Sequence, residues 1–288
     1  MKMDKKNKAV MLKLTLLRIL VYAIIIFLCI LCLFFFYLLL IYATKSHAQV
    51  QGRFSLLPGT HLLDNFRNAW NDASINIPRG MMNSFIVAIC TSLLTTYFSA
   101  LTAYGIYVYN FKLKKFAYGF ILAVMMIPSQ VSAVGFVQLA YKFNLTNHLW
   151  LLIVPAIAAP AVFYYMHQYL KATLPVEIVE ASRIDGSSEF ATFNRIVLPI
   201  MKPAIAVQMI FSFVTSWNNY FMPALLLTKA EVKTVPIMIA QLRSADYSKF
   251  DLGKMYMFIL MAILPVIVVY VLISKSIIKG VTSGSVKG

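Results

Sequence analysis

The sequence predicts an all-α integral membrane protein that crosses the bilayer six times. Of its 288 residues, 60% are hydrophobic and only 12% are charged, whereas a soluble domain carries about 25% charged residues. Six uncharged stretches reach the length of about 20 apolar residues that a spanning helix needs. Such spans are expected to be helical, because lipid offers no hydrogen-bond partner to backbone amides and carbonyls.

The predicted spans divide the chain into membrane and aqueous segments. They are residues 19–44, 80–111, 116–141, 143–170, 203–228 and 255–274. Residues 1–18 then form an N-terminal segment, and residues 275–288 form a C-terminal tail. Residues 45–79 are an external segment in which residues 62–70 have the polar and aromatic spacing of a short interfacial helix. The last five spans, residues 80–274, are expected to form one domain.

Topology explains the net charge of +16. With a cytosolic N-terminus, most Lys and Arg residues fall in cytosolic segments, as the positive-inside rule requires. We therefore expect a multi-pass protein with both termini in the cytosol. The basic excess needs no nucleic-acid partner.

The sequence offers no set of residues for catalysis or metal binding. Cys29 and Cys32 form a C-x-x-C pair at membrane depth, but no further ligand lies near them, and lipid-facing or packed thiols are the simpler interpretation. The four histidines are scattered. A secondary transporter or channel for ions is disfavoured because the spans contain no charged residue. No P-loop motif is present, so a partner must bind any ATP and Mg²⁺.

The longest predicted cytosolic loop, residues 171–202, has the pattern of two short helices around a turn. Gly186 suits a left-handed position at the end of the first helix. Ser187 or Ser188 is placed to cap the second helix, and Pro199 is expected to close it.

This loop also carries many apolar residues outside the predicted spans. They are Val176, Ile178, Val179, Ile184, Phe190, Phe193, Ile196 and Val197. An apolar surface in water indicates a protein partner. The alternative is that the loop folds back on its own helical bundle.

A family resemblance supports the first interpretation. The segments Glu180-Ala181-Ser182, Asp185-Gly186 and Leu198-Pro199 resemble the EAA motif of type I ABC importer permeases, with Ser182 in place of the usual Ala. In that family this loop is the coupling helix, which enters a cleft of a cytosolic ATPase. The resemblance implies an ATPase-coupling role for all seven of these residues.

Other segments resemble the MalG-like half of maltose-type carbohydrate importers. They are Asn83-Ser84, Ala103-Tyr104, Ile127-Pro128, Ser216-Trp217-Asn218 and the Gly-rich tail 279–288. The first span departs from that pattern by lacking a proline. The resemblance implies a MalF-like second permease, a homodimeric MalK-like ATPase that binds ATP and Mg²⁺, an extracytoplasmic sugar-binding protein, and a bacterial cell membrane. In maltose-type transporters the tail also reaches the ATPase.

Polar and aromatic residues within the spans are candidates for contact with a sugar in the translocation path. The densest polar cluster begins with Thr215 and Ser216 and continues through the candidate contacts Trp217, Asn218, Asn219 and Tyr220. Secondary candidates are Asn83, Gln130 and Gln138. Hydrogen bonding between helices is the alternative role for each of them.

Pro128 predicts a kink in the third span. The neighbouring Ser129, Gln130 and Ser132 then either satisfy the freed carbonyl or face a water-filled path.

The sequence thus predicts a transport subunit rather than an enzyme. It is expected to be the permease subunit of an ATP-driven carbohydrate importer that works by alternating access. The expected carbohydrate is an oligosaccharide. A non-sugar solute remains the alternative, because the EAA motif is shared among importers of different substrates.

Overall fold

Helices make up all the regular structure of the described residues. The structure is a computed structural model that describes residues 5–243 and 251–284. Four continuous apolar segments are long enough to cross a membrane: Lys13–Ala43, Ile77–Val108, Trp150–Thr173 and Leu252–Leu272. Two further pairs of helices, bent by 92° and 81°, bring the number to six if each pair forms one span. The predicted all-α membrane fold is confirmed.

The chain forms two compact units. The first comprises Met1–Asn71 and Asp246–Leu260. It contains α1 (Lys5–Ala43), α2 (His47–Gln51), α3 (Leu62–Trp70) and the beginning of α15 (Leu252–Gly284).

The end of α1 is fixed by a buried asparagine of α3. Both hydrogens of the Asn65 amide are donated, to the carbonyls of Ala43 and Lys45, each over 2.9 Å. These carbonyls have no partner within α1, and a polar side chain is the usual way to satisfy them. Phe66 and Trp70 are exposed on α3 and stack with ring centroids 5.7 Å apart. Residues 62–70 thus form the short helix α3 that the sequence predicts.

The second unit comprises Asp72–Ala245 and Met261–Gly288. Its helices are α4 (Ile77–Val108), α5 (Lys114–Met125), α6 (Ser129–Lys142), α7 (Trp150–Ile153), α8 (Pro160–Thr173), α9 (Val176–Ile184), α10 (Glu189–Thr192), α11 (Leu198–Ile200), α12 (Lys202–Trp217), α13 (Phe221–Leu226), α14 (Val235–Arg243) and the rest of α15. A 3-10 turn, Val154–Ile157, separates α7 from α8, and a π turn, Phe193–Val197, separates α10 from α11.

The helix α4 is the centre of this unit and packs most extensively against α12 and α8. Small residues make the close approach possible. Ser92, Thr96, Ser99, Ala100 and Ala103 are all buried at spacings of three and four along one side of α4.

Three of the predicted spans are interrupted. The fourth, predicted over residues 143–170, is interrupted by the 3-10 turn between α7 and α8. The third bends by 92° between α5 and α6, at Pro128, so the predicted kink is confirmed as a full break. The fifth, predicted over residues 203–228, consists of α12 and α13 with Asn218, Asn219 and Tyr220 between them. Part of the polarity in that region therefore belongs to a helix end, where unpaired backbone groups are common.

Candidate functional site

The 171–202 loop folds as the two short helices that the sequence predicts. Gly186 has a φ of +78° at the end of α9, which is the left-handed conformation. Ser188, rather than Ser187, caps α10, because its Oγ accepts a hydrogen bond from the amide of Ala191 over 3.3 Å. Pro199 was expected to close this helix, and the helix ends beside it. Together, α10, the π turn and α11 form one helix, Glu189–Ile200, which ends one residue after Pro199 at a bend of 81°.

The apolar residues of the loop are divided between two faces. Val179, Phe193 and Val197 are fully buried in a cluster shared with α4 and α8. By contrast, Ile184 is 87% exposed and Phe190 is 67% exposed. The two alternatives drawn from the sequence thus describe different faces: one packs on the bundle, and the other is free to meet a partner.

The motif residues also differ in their surroundings. Glu180, Ala181, Asp185, Gly186 and Pro199 are exposed, and Leu198 is half-buried. The side chain of Ser182 is buried. Its hydroxyl donates to the carbonyl of Val179 over 2.8 Å, and its oxygen lies 3.1 Å from the hydroxyl oxygen of Thr192. Ser182 therefore joins α9 to α10 through a contact that an alanine cannot make.

A carboxylate attaches the loop to the end of α4. Glu189 Oε1 accepts a hydrogen bond from Arg183 Nε over 2.7 Å. Its Oε2 accepts from the hydroxyl of Tyr104 over 3.1 Å and from the hydroxyl of Tyr109. The Arg183 guanidinium also lies over the Tyr109 ring, 5.2 Å from its centroid.

Two more tyrosines of α4 reach the same loop. The Tyr107 hydroxyl donates to the carbonyl of Leu174 over 3.1 Å. The Tyr97 hydroxyl donates to Oδ1 of Asn194 over 3.2 Å. This set of contacts was not predicted from the sequence, although Tyr104, Tyr107 and Tyr109 stand near the predicted cytosolic end of the second span.

The electrostatics of the Glu189 site favour its charged form. The hydrogen bond from Arg183, followed by the one from Tyr109, lowers the pKa of Glu189 below its ordinary value. The same carboxylate raises the pKa of Arg183. At neutral pH, Glu189 is therefore an anion with three donors directed at it.

A cavity of about 770 Å³ lies within the second unit. Its lining comes mainly from α4, α6, α12 and the break between α7 and α8. The polar lining residues are Ser84, Thr91, Thr95, Ser129, Ser132, Gln208, Ser212, Thr215, Ser216, Asn219 and Thr234. Among the described residues, no acidic, basic or histidine side chain lines it.

The interrupted helix beside α4 shapes this cavity. Pro155 and Pro160 flank the break between α7 and α8, and Ala156, Ala158 and Ala159 within it line the cavity. The hydroxyl of Thr95 donates to the freed carbonyl of Ala156 over 2.8 Å, which satisfies that group away from water. The hydroxyls of Thr91 and Thr234 are buried and have no hydrogen-bond partner among the described residues.

The structure separates the seven residues proposed as sugar contacts. Asn219 lines the cavity. Asn83 instead donates to the carbonyls of Glu231 and Lys233, each over 2.9 Å. Trp217 is buried, donates its indole N–H to the Ala262 carbonyl over 3.0 Å and packs against aromatic neighbours. Four of the seven are absent from the lining and are exposed: Gln130, Gln138, Asn218 and Tyr220.

A helical stripe of polar residues on α12 lines the cavity and was not singled out as a set from the sequence. The stripe consists of Gln208, Ser212, Thr215 and Ser216, and Asn219 continues it just beyond the end of α12. Its spacing of three and four residues places the four helical residues on one side of α12. That periodicity is the signal that distinguishes them from their neighbours Trp217 and Asn218.

Ser129 and Ser132 beside the break at Pro128 also line the cavity. The carbonyl four residues before Pro128, that of Val124, accepts instead from the amide of Ile127 over 3.2 Å. The Ser129 hydroxyl donates to Gln130 Oε1 over 3.3 Å. Of the two roles predicted for these serines, the structure favours the one facing open space.

Comparison with known proteins gives a consistent assignment. Residues 96–276 match the family model described as "Binding-protein-dependent transport system inner membrane component". The chain is 32% identical over 276 residues to the arabinooligosaccharides transport system permease protein AraQ of Bacillus subtilis (strain 168), covering 90% of this chain and 95% of that protein.

Two further relatives extend the comparison. The chain is 28% identical over 253 residues to the sn-glycerol-3-phosphate transport system permease protein UgpE of Escherichia coli O1:K1 / APEC, covering 86% of this chain and 90% of that protein. Its fold resembles a chain of a bacterial ABC transporter involved in the import of the acidic polysaccharide alginate, with a TM-score of 0.76, 19% identity, and coverage of 90% and 96%. With a membrane fold, an EAA-like loop and these relatives, the chain belongs to the family of inner membrane components of binding-protein-dependent transport systems.

Proposed function

We propose that this permease subunit forms half of the translocation path of an ATP-driven importer for a neutral oligosaccharide. The observation that carries the proposal is the cavity in the second unit. It offers hydroxyl and amide groups with apolar surface between them, and no ionisable side chain among the described residues. Such a lining suits the hydroxyls and C–H faces of a sugar, whereas an anion would lack a cationic partner in this half.

The unpaired hydroxyls support a polar ligand. Buried polar groups normally have a hydrogen-bond partner, and an exception calls for an explanation. Thr91 and Thr234 both line the cavity without one among the described residues. A sugar hydroxyl, which both donates and accepts, is a suitable partner for such groups.

The 171–202 loop supports an external energy source. Its exposed apolar residues Ile184 and Phe190 flank the exposed motif residues Asp185 and Gly186 in the sequence. We infer that this face enters a cleft of a cytosolic ATPase of the MalK type, a homodimer that binds ATP and Mg²⁺. Both termini then lie in the cytosol, and the C-terminal tail from residue 279 offers a second contact; its residues 285–288 lie outside the described residues.

Two more partners complete the proposal. A second permease of the MalF type supplies the other half of the path, and an extracytoplasmic sugar-binding protein delivers the substrate. The apolar outer surface of the helices, including Cys29 and Cys32 on α1, faces lipid or the second permease.

The decisive experiment uses the complete transporter, co-purified with its partners, in proteoliposomes with its binding protein. Arabinotriose, raffinose, glycerol-3-phosphate and an alginate oligomer are compared as stimulators of ATP hydrolysis. We expect stimulation by a neutral oligosaccharide and none by the two anions. Stimulation by an anion alone contradicts a neutral substrate, and purification of the chain as a lone homodimer contradicts the transporter itself.

A matched pair of variants tests the cavity. Thr215→Val removes a lining hydroxyl with little change in volume, and we expect it to lower maximal uptake about tenfold because it leaves a sugar hydroxyl unpaired. Thr102→Val is the control: its hydroxyl donates to the Phe98 carbonyl of its own helix, and it does not line the cavity. Equal uptake by both variants would exclude Thr215 from the path.

A non-sugar solute is the second candidate, and one observation favours it. UgpE, a relative of similar length, is named for sn-glycerol-3-phosphate. For this chain to share such a substrate, the second permease must supply the cationic groups. The stimulation assay above separates the two cases.

A further inference from the structure

The 171–202 loop is connected covalently to α8 and α12, but not to α4. Even so, α4 forms part of the cavity wall, since Ser84, Val87, Thr91 and Thr95 all line the cavity. Movement of the loop therefore needs a non-covalent link to reach α4. The contacts at the end of α4 are candidates for that link.

Glu189 is the strongest of these contacts. Its carboxylate accepts from Tyr104 and Tyr109 at the end of α4 and from Arg183 at the end of α9. Hydrogen bonds to an ionised acceptor are about twice as strong as neutral ones. The side chain thus holds three structural elements, α4, α9 and α10, at a single point.

Glu189 lies close in sequence to the exposed apolar face of the loop that is proposed to meet the ATPase. Glu189 directly precedes Phe190 and is close in sequence to Ile184, the two most exposed apolar residues of the loop's free face. Glu189 therefore joins that face to α4, beside the apolar packing of Phe193 and Val197 on the bundle. Tyr104 lies thirteen residues along α4 from Thr91, or about 20 Å at the rise of an α-helix.

We propose that Glu189 is a positioning residue that transmits closure of the ATPase to α4, and through α4 to the cavity. This inference rests on the proposed function, since it needs an ATPase that docks on the loop. It assigns the anchoring task to a carboxylate outside the Glu180 to Gly186 motif. Without it, the loop still docks and still moves α12, but α4 no longer follows.

The test measures the state of the cavity without using a substrate. Val87→Cys is introduced in the complete transporter after Cys29, Cys32 and Cys90 have been replaced by serine. Its labelling by N-ethylmaleimide in proteoliposomes is compared between nucleotide-free and vanadate-trapped ATP states. We expect the trapped state to change the labelling rate about tenfold, within the range of ordinary allosteric couplings.

Glu189→Ala is expected to abolish most of this change while the ATPase still traps the wild-type amount of nucleotide. The amount of trapped nucleotide is the control, because misfolding of the permease or loss of ATPase docking would lower it. Retention of the full change in labelling by Glu189→Ala overturns the proposal. If the wild-type transporter shows no change at all, the proposed function fails instead.

Two further variants make the test specific. Tyr104→Phe combined with Tyr109→Phe removes both hydroxyl donors but keeps the rings, and should reproduce the effect of Glu189→Ala. Combined with Glu189→Ala it should add nothing, because residues acting through one interaction are not additive. Glu177→Gln, in the first turn of α9, is the matched control and should keep the full response. Additive losses, or an equal loss in Glu177→Gln, contradict a specific route through Glu189.

Discussion

Ser182 and Thr192 meet across the 171–202 loop with their hydroxyl oxygens 3.1 Å apart and both side chains buried. The contact places a polar seam between α9 and α10. Thr192 continues it, because its hydroxyl oxygen also lies 3.0 Å from Ser187 Oγ. Ser182, at the third position of the EAA-like segment, is therefore small and also connects α9 to α10.

Replacing Ser182 tests this seam. Ser182→Ala restores the usual motif residue but removes the hydrogen bond to Thr192, and should weaken the loop by about 1 kcal/mol. Ser182→Leu should cost about 1–3 kcal/mol, because a larger side chain must enter a packed site. Hydrogen exchange of the α9 and α10 amides in nanodiscs measures both. Equal protection in all three proteins would show that the seam contributes nothing.

Gly186 is required for its backbone conformation rather than for space. Its φ is +78°, and apart from its own chain neighbours no atom lies within 4 Å of the place that a Cβ would occupy. Gly186→Asn should retain most uptake, since asparagine tolerates the left-handed region. Gly186→Val should lose it, because a β-branched residue is strained there by about 1–3 kcal/mol. Uptake in proteoliposomes distinguishes the pair, and similar loss in both would point to a need for space at the ATPase surface.

Asn83 is expected to stabilise the fold rather than bind sugar. Asn83→Ala removes two hydrogen bonds to backbone carbonyls and should lower stability by about 1–3 kcal/mol. Asn83→Asp should be worse, because a carboxylate cannot donate to the Glu231 and Lys233 carbonyls. Thermal unfolding in detergent measures the order, and uptake per folded transporter should be unchanged. Reduced uptake at full stability would restore Asn83 as a substrate contact.

Acid should release the Glu189 contact only below the ordinary titration range of a glutamate. The pKa of Glu189 is lowered from 4.5 by Arg183 and Tyr109. A group with a depressed folded-state pKa contributes its full stability above the unfolded value and loses it as the pH falls through the folded value. Exchange of the α10 amides, corrected for intrinsic rates, should therefore be flat from about pH 8 to pH 5 and rise below about pH 4.

The difference between the wild type and Glu189→Gln isolates this group from other acids of the loop. Because the side chain is partly exposed, the rise should be only about twofold to fivefold. An unchanged difference across the whole range would mean that the contact does not depend on the charge of Glu189.

Local signals in the sequence predicted much of the loop and of the fold. The turn at Gly186, the cap of α10 and the break at Pro128 each depend on a few adjacent residues, and all three are present. The path residues were harder to predict, because composition does not say which side of a helix faces a cavity. Trp217 and Asn219 are two residues apart on the chain, yet one is buried against aromatic rings and the other lines the cavity.

Contacts between residues far apart in the sequence could not be predicted either. The contact between Tyr104 and Glu189 joins residues 85 positions apart, and no periodicity reveals it. Likewise, Pro155 and Pro160 mark a break in the fourth span, but its role in shaping a cavity depends on Thr95 of a different helix.

The π turn at Phe193–Val197 sets the rotational phase of the chain that follows it. Within it, the Leu198 amide bonds to the Phe193 carbonyl, five residues back rather than four. Each residue of an α-helix advances the chain by about 100°. Deleting one residue here would place the Leu198 amide four residues after the Phe193 carbonyl, so the same hydrogen bond would close an ordinary α-helical turn. Leu198–Ile200 would then keep their side of the helix, and this turn is the place in the loop where the loss of one residue disturbs the following chain least.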